Sequence, residues 1–225
     1  MKFTLQSRAV VEFGGTAFLL MAVVGSGIMA ERLAAGNVAL ALLANSIATG
    51  AALVALILAL GPISGAHFNP AVTLFDAIQG GIAWTEVPVY IAMQIAGAFA
   101  GVAAAHLMFG LPIFFASHRE RSGGAQIESE FIATFGLLAV IWGCTRVQSQ
   151  AVSFAVGAYI AAAYWFTAST SFANPAVTLA RAASDTFAGI RPIDVSPFIA
   201  AQLAAALAAA MGIRWLAQQA KRETK

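Results

Sequence analysis

With 225 residues, 60% of them hydrophobic and 10% charged, and a net charge of +2, the chain has too little polar surface for a soluble domain, in which roughly 25% of residues are charged. The small positive balance sits mostly near the chain ends and offers no nucleic-acid surface, so no RNA or DNA partner is expected. The single cysteine, Cys144, lies in a hydrophobic run, which excludes an intrachain disulfide and leaves no thiolate metal site; neither a metal nor a cofactor is expected.

In chain order, apolar runs of about twenty residues predict six spanning helices, each suited to a hydrocarbon layer roughly 30 Å thick. They fall at 9–30, 38–60, 86–109, 127–146, 150–168 and 196–219. Two shorter apolar stretches, 69–80 and 174–184, follow runs of small residues, Gly61 to Phe68 and Thr167 to Ala173. They are too short to span, and are read as re-entrant half-helices. The first long run contains Glu12 and continues directly into the next segment, so it is read as a helix of the domain rather than a signal peptide. The expectation is an all-α membrane protein, one domain over 1–225. Lys2, Arg8, Arg146, Arg214, Lys221, Arg222 and Lys225 fall on one side, and Arg32, Arg119, Arg121, Arg181 and Arg191 on the other, which places both termini in the cytoplasm.

The chain is an internal repeat, with halves at about 1–109 and 127–219. Residues 69–74 and 174–179 both read NPAVTL, 105 positions apart (174 − 69). Glu12 with Thr16 matches Glu130 with Thr134, and Gln94 matches Gln202, in the same order. Three spans per repeat is an odd number, so the halves enter the membrane in opposite senses and the half-helices meet near its middle.

Asn is a favoured N-cap and Pro fits the first helical position, so Asn69-Pro70-Ala71 and Asn174-Pro175-Ala176 each open a half-helix. If each Asn oxygen caps its own helix, the amide nitrogens face one central point, where both helix dipoles also present their positive ends. Such a point disfavours cations and suits a neutral hydroxyl oxygen. Unwound backbone before each Asn would supply carbonyl acceptors along a wet path.

These features resemble the aquaporin and aquaglyceroporin family over nearly the full length. SGAHFNPAVTL, Ser64 to Leu74, is close to the family's first signature, and the Glu-x-x-x-Thr pairs resemble its first and fourth helices. The resemblance implies an aquaporin fold of six transmembrane helices plus two re-entrant half-helices, passive passage of small neutral solutes, and a multi-pass protein of the bacterial inner membrane. It also implies a homotetramer, with which the small-residue stretch Gly97 to Ala105 is compatible.

Family offsets from the two Asn residues, carried over without gaps, put the selectivity filter at Thr49, Ala162, Ser171 and Val177. Most members have an aromatic at the first position and Arg at the last; this chain has neither. Four small side chains predict a wide aperture sorting solutes by size and apolarity. Arg181, one turn beyond Val177, is assigned to the outer vestibule. The Thr49 and Val177 pair resembles the bacterial AqpS-type channels, which pass arsenite, an uncharged trihydroxide near neutral pH. Arsenite and related arsenicals, glycerol and water are therefore the expected solutes.

Glu12 and Glu130 are carboxylates in spanning helices and functional candidates by default; the resemblance makes them braces for the re-entrant loops, with His67 as a loop-packing residue partly exposed to the pore. His106 and His118 offer no metal-ligand spacing, and Asp76 and Asp185 are read as helix-flanking or solvated groups. No phosphate loop or nucleophile elbow supports an enzyme. A proton-coupled secondary transporter, which shares inverted repeats, and a water-specific channel remain as alternatives.

Overall fold

The computed structural model describes residues 3–223. Eight α-helices and one short 3₁₀ turn make up the described chain: α1 (Leu5–Leu33), α2 (Val38–Ser64), α3 (Pro70–Gln79), α4 (Val87–Met108), α5 (Gly124–Val147), α6 (Val152–Phe166), α7 (Pro175–Arg181) and α8 (Pro192–Glu223). Five of them, α1, α2, α4, α5 and α8, are long and apolar enough to cross a membrane. The fold is the expected all-α one, with α3 and α7 as the two half-helices.

Two elements, α6 and α7, are each four residues shorter than the sequence expectation, whereas α1, α2, α5 and α8 run longer than expected. The predicted span 150–168 is a helix of 15 residues, preceded by the 3₁₀ turn Ser149–Ala151. At about 1.5 Å per residue it rises roughly 22 Å, short of a full crossing, because Thr167 turns into extended backbone and starts the re-entrant loop. α7 stops at Arg181 rather than near 184, with Ala182 as its C-cap. The α4–α5 connection takes over the chain there: the amides of Phe115 and Ser117 donate to the carbonyls of Ala183 and Ala182 at 3.1 and 2.9 Å.

The helices pack as α1 on α4, α5 on α8, and α2 on α6, with α3 and α7 in contact at the centre. Two of these contacts are close because glycine removes the side chain. A Cβ on Gly97 of α4 would fall 2.3 Å from the Phe13 carbonyl of α1. Gly50 of α2 and Gly157 of α6 face each other, each admitting the other's carbonyl. The small-residue stretch Gly97 to Ala105 thus has a role inside the protomer: Gly97, Ala98, Gly101, Val102 and Ala105 are buried. Phe99, Ala100, Ala103 and Ala104 on the other face of the same stretch are half-buried.

Candidate functional site

The loops entering the two half-helices are held in a costly conformation, and the sequence supplies the same compensation twice. Gly65, Ala66 and Phe68 have φ of 92°, 49° and 49°; Thr170, Ser171 and Ala173, each 105 positions later, have 61°, 51° and 48°. Five of these six are not glycine, and a left-handed L-residue costs about 1–2 kcal/mol. The turned backbone points successive amides at one buried carboxylate. Glu12 Oε1 accepts from the His67 amide at 3.0 Å and Oε2 from the Phe68 amide at 2.7 Å. Glu130 accepts from the Phe172 and Ala173 amides, both at 2.8 Å.

A second layer locks each carboxylate to its half-helix. Gln94 Nε2 donates to Glu12 Oε2 at 2.8 Å and to Thr73 Oγ1 at 2.9 Å, and Thr73 donates to the Asn69 carbonyl. In the other half Gln202 Nε2 joins Glu130 at 2.6 Å to Thr178 at 2.8 Å, and Thr178 donates to the Asn174 carbonyl. Ser64 is a further donor to Glu12, at 2.7 Å. The His67 ring sits 3.1 Å from Thr73 Oγ1 and 3.5 Å from Asp76, and reaches the cavity described below.

Asn69 and Asn174 cap α3 and α7 with nearly identical backbone, φ −156° and ψ 118° against φ −158° and ψ 113°. Pro70 and Pro175 stand at the first helical position, and Asn69 Oδ1 accepts from the Ala71 amide at 2.9 Å, Asn174 Oδ1 from the Ala176 amide at 3.0 Å. The amide nitrogens are only partly free. Asn69 Nδ2 donates to the Ala173 carbonyl at 2.7 Å, and Asn174 Nδ2 to the Phe68 carbonyl at 2.8 Å. Each Asn therefore clamps the opposite loop with one N–H and retains one other, since a carboxamide nitrogen carries two.

One cavity of about 420 Å³ runs past both Asn residues. Its wall includes His67, Asp76 and Thr145 toward one end, and Thr49, Ser171 and Val177 toward the other. Glu12 and Glu130 are fully buried and are not part of that wall.

The second expected filter position, Ala162, is displaced. Ala162 is exposed on the outer side of α6, while Ile160 and Tyr164 line the cavity, and the Tyr164 hydroxyl lies 3.2 Å from Thr49 Oγ1. Residues 160 and 164 share a helical face and 162 lies across from it. The ungapped offset from Asn174 counts through a loop of unknown length, which moves the assignment by half a turn. An aromatic therefore stands on the wall expected to be open.

Two arginines outside the expected filter converge near Phe172. The Arg181 guanidinium lies 3.4 Å from the Phe172 ring centroid, and its Nε donates to the Ala188 carbonyl. Arg121, from the α4–α5 connection, donates to the carbonyls of Gly189 and Ser169 at 2.8 and 3.0 Å and to Thr170 Oγ1 at 3.2 Å. Burial pulls the Arg121 guanidinium down to about 10, which still leaves it a cation at neutral pH. Composition and spacing gave no signal for Arg121, because its contacts are far away in sequence.

Comparison with known proteins gives a consistent set of relatives. The family model Major intrinsic protein matches residues 1–151. Aquaglyceroporin AqpS of Rhizobium meliloti (strain 1021) is 54% identical over 220 residues, covering 98% of this chain and 94% of its own. The probable aquaporin NIP4-2 of Arabidopsis thaliana is 30% identical, over 87% of this chain and 71% of its own. Among solved structures, the aquaglyceroporin from Plasmodium falciparum superposes with a TM-score of 0.71 over 92% of this chain and 95% of its own, at 22% identity, a likeness of fold.

Proposed function

Since the chain belongs to the major intrinsic protein family and is a multi-pass channel protein for small solutes, we propose that it is a passive pore for neutral hydroxylated molecules, arsenite and related methylated or metalloid species together with glycerol and water. The observation that carries this reading is the pair of crossed Asn amides, each with one N–H left over, beside a cavity of about 420 Å³. A hydroxyl oxygen crossing the centre can accept from both. A cation meets the positive ends of two half-helices instead.

The outer narrowing supports solutes with both polar and apolar faces. Thr49 and Ser171 offer oxygens, whereas Val177 and the Tyr164 ring offer carbon. A trihydroxide or a triol presents hydroxyls to the first pair while its remaining surface rests on the second. Absence of a guanidinium at Val177 favours width, and Tyr164 trims it, so size selection is moderate rather than absent. Proton-coupled transport gains no support, because the Glu12 and Glu130 oxygens are engaged by donors and do not face the cavity.

The setting we infer is a bacterial inner membrane, with cytoplasmic termini and four identical subunits, each with its own pore. Stopped-flow light scattering of proteoliposomes under gradients of arsenite, glycerol and urea tests the solute assignment. Passage of all three above empty vesicles is expected, and permeability to water alone would overturn it.

A further inference from the structure

Arg181 is 2% exposed, yet among the described residues no carboxylate lies within ion-pairing distance of it. The only hydrogen bond of its side chain there runs from Nε to the Ala188 carbonyl, and its Nη atoms are absent from the enclosed polar atoms that lack a partner. A buried guanidinium without a counter-charge is costly unless its donors meet water or solute. Arg181 meets that condition by lining the cavity, of which it is the one Lys or Arg among the described wall residues. The guanidinium is held over the Phe172 ring, while Arg121 donates to carbonyls and a hydroxyl and does not line the cavity.

We propose that Arg181 forms an acceptor-recognition subsite at the mouth beyond Val177, at which a neutral solute oxygen is bound and a cation is turned back. The charge that Val177 does not provide is thereby supplied one helical turn further out. The subsite takes small neutral molecules with a carbonyl or hydroxyl oxygen, and it rests on the channel reading above.

Urea and the guanidinium ion have the same planar shape and differ in charge and in the acceptor oxygen. Uptake of each, labelled, is measured into proteoliposomes with a potassium ionophore clamping the potential, for the wild type, Arg181→Leu, Arg181→Gln and Arg181→Lys. Removing one desolvated charge should raise the guanidinium-to-urea ratio on the order of tenfold in the Leu and Gln variants. Arg181→Lys should restore exclusion of guanidinium while leaving urea uptake below wild type, because an ammonium lacks the planar pair of donors. A ratio within twofold of wild type in Arg181→Gln, with urea still passing, would overturn the subsite. Failure of the wild type to pass urea, glycerol and arsenite above empty vesicles would instead overturn the channel reading on which it stands.

Discussion

Replacing Glu130 by Gln tests whether a carboxylate is what holds the second re-entrant loop. Three donors converge on it: the Phe172 amide on one oxygen, the Ala173 amide and Gln202 Nε2 on the other. A glutamine has one oxygen and a nitrogen that donates, so the best placement puts the nitrogen toward Phe172 and leaves that backbone amide facing another donor. An unsatisfied buried donor costs about 1–3 kcal/mol, and losing the charge on the two surviving bonds costs about 1 kcal/mol each, giving roughly 3–5 kcal/mol in all. For a chain of this size that lowers the apparent melting temperature by roughly 6–20 °C. The assay is heating in detergent followed by gel filtration of the surviving folded fraction. Phe172 also carries the Arg181 guanidinium, so urea permeability should fall in the protein that remains folded. A shift below about 2 °C with unchanged permeability would refute the brace.

Asn69→Asp keeps the cap on Ala71 but sets a carboxylate oxygen against the Ala173 carbonyl; a loss of about 1–3 kcal/mol and a several-fold drop in glycerol permeability are expected from light scattering. Gly97→Ala should destabilise by about 1–3 kcal/mol by driving α4 off the Phe13 carbonyl, despite alanine's better helix propensity. Gly143→Ala, whose Cβ would meet nothing within 4 Å, should be neutral or stabilising by up to about 1 kcal/mol in the same melts. Val177→Arg places a second guanidinium one turn from Arg181 and should reduce glycerol and urea passage about tenfold or more while sparing water; unchanged uptake of both solutes would show that Val177 does not set the aperture.

What could be read from the sequence is what the repeat wrote twice. Asn69 and Asn174, Glu12 and Glu130, and Gln94 and Gln202 recur in order, and their positions in the fold are equivalent to the level of single hydrogen bonds. The bonds between halves were not legible. Nothing in two identical hexapeptides says that Asn69 spends one N–H on the residue before Asn174, because that contact depends on how the two half-helices approach. Ala162 was misplaced for a related reason: an offset measured along the chain holds within a helix and loses meaning across the Thr167–Ala173 loop. The run Gly97 to Ala105 pointed to close helix approach, as it should, but composition cannot say whether the partner is α1 of the same protomer or a neighbouring subunit.

The division of labour between these residues explains how one fold can carry an altered filter. Asn, Glu, Gln and Thr form a lattice that holds the amides of the strained residues Phe68 and Ala173 and joins the loops across the centre, so their chemistry is set by backbone amides and carbonyls. Side chains at Val177 and Arg181 project from one face of α7 and take no part in that lattice; Arg181 adds only a bond to the Ala188 carbonyl and a stacking contact. Moving a cation from one of these positions to the other therefore leaves the braces intact and changes only what the cavity presents to a solute. Changes at Glu130 or Asn69 cannot be separated in this way, since each bond they make both holds the fold and shapes the path.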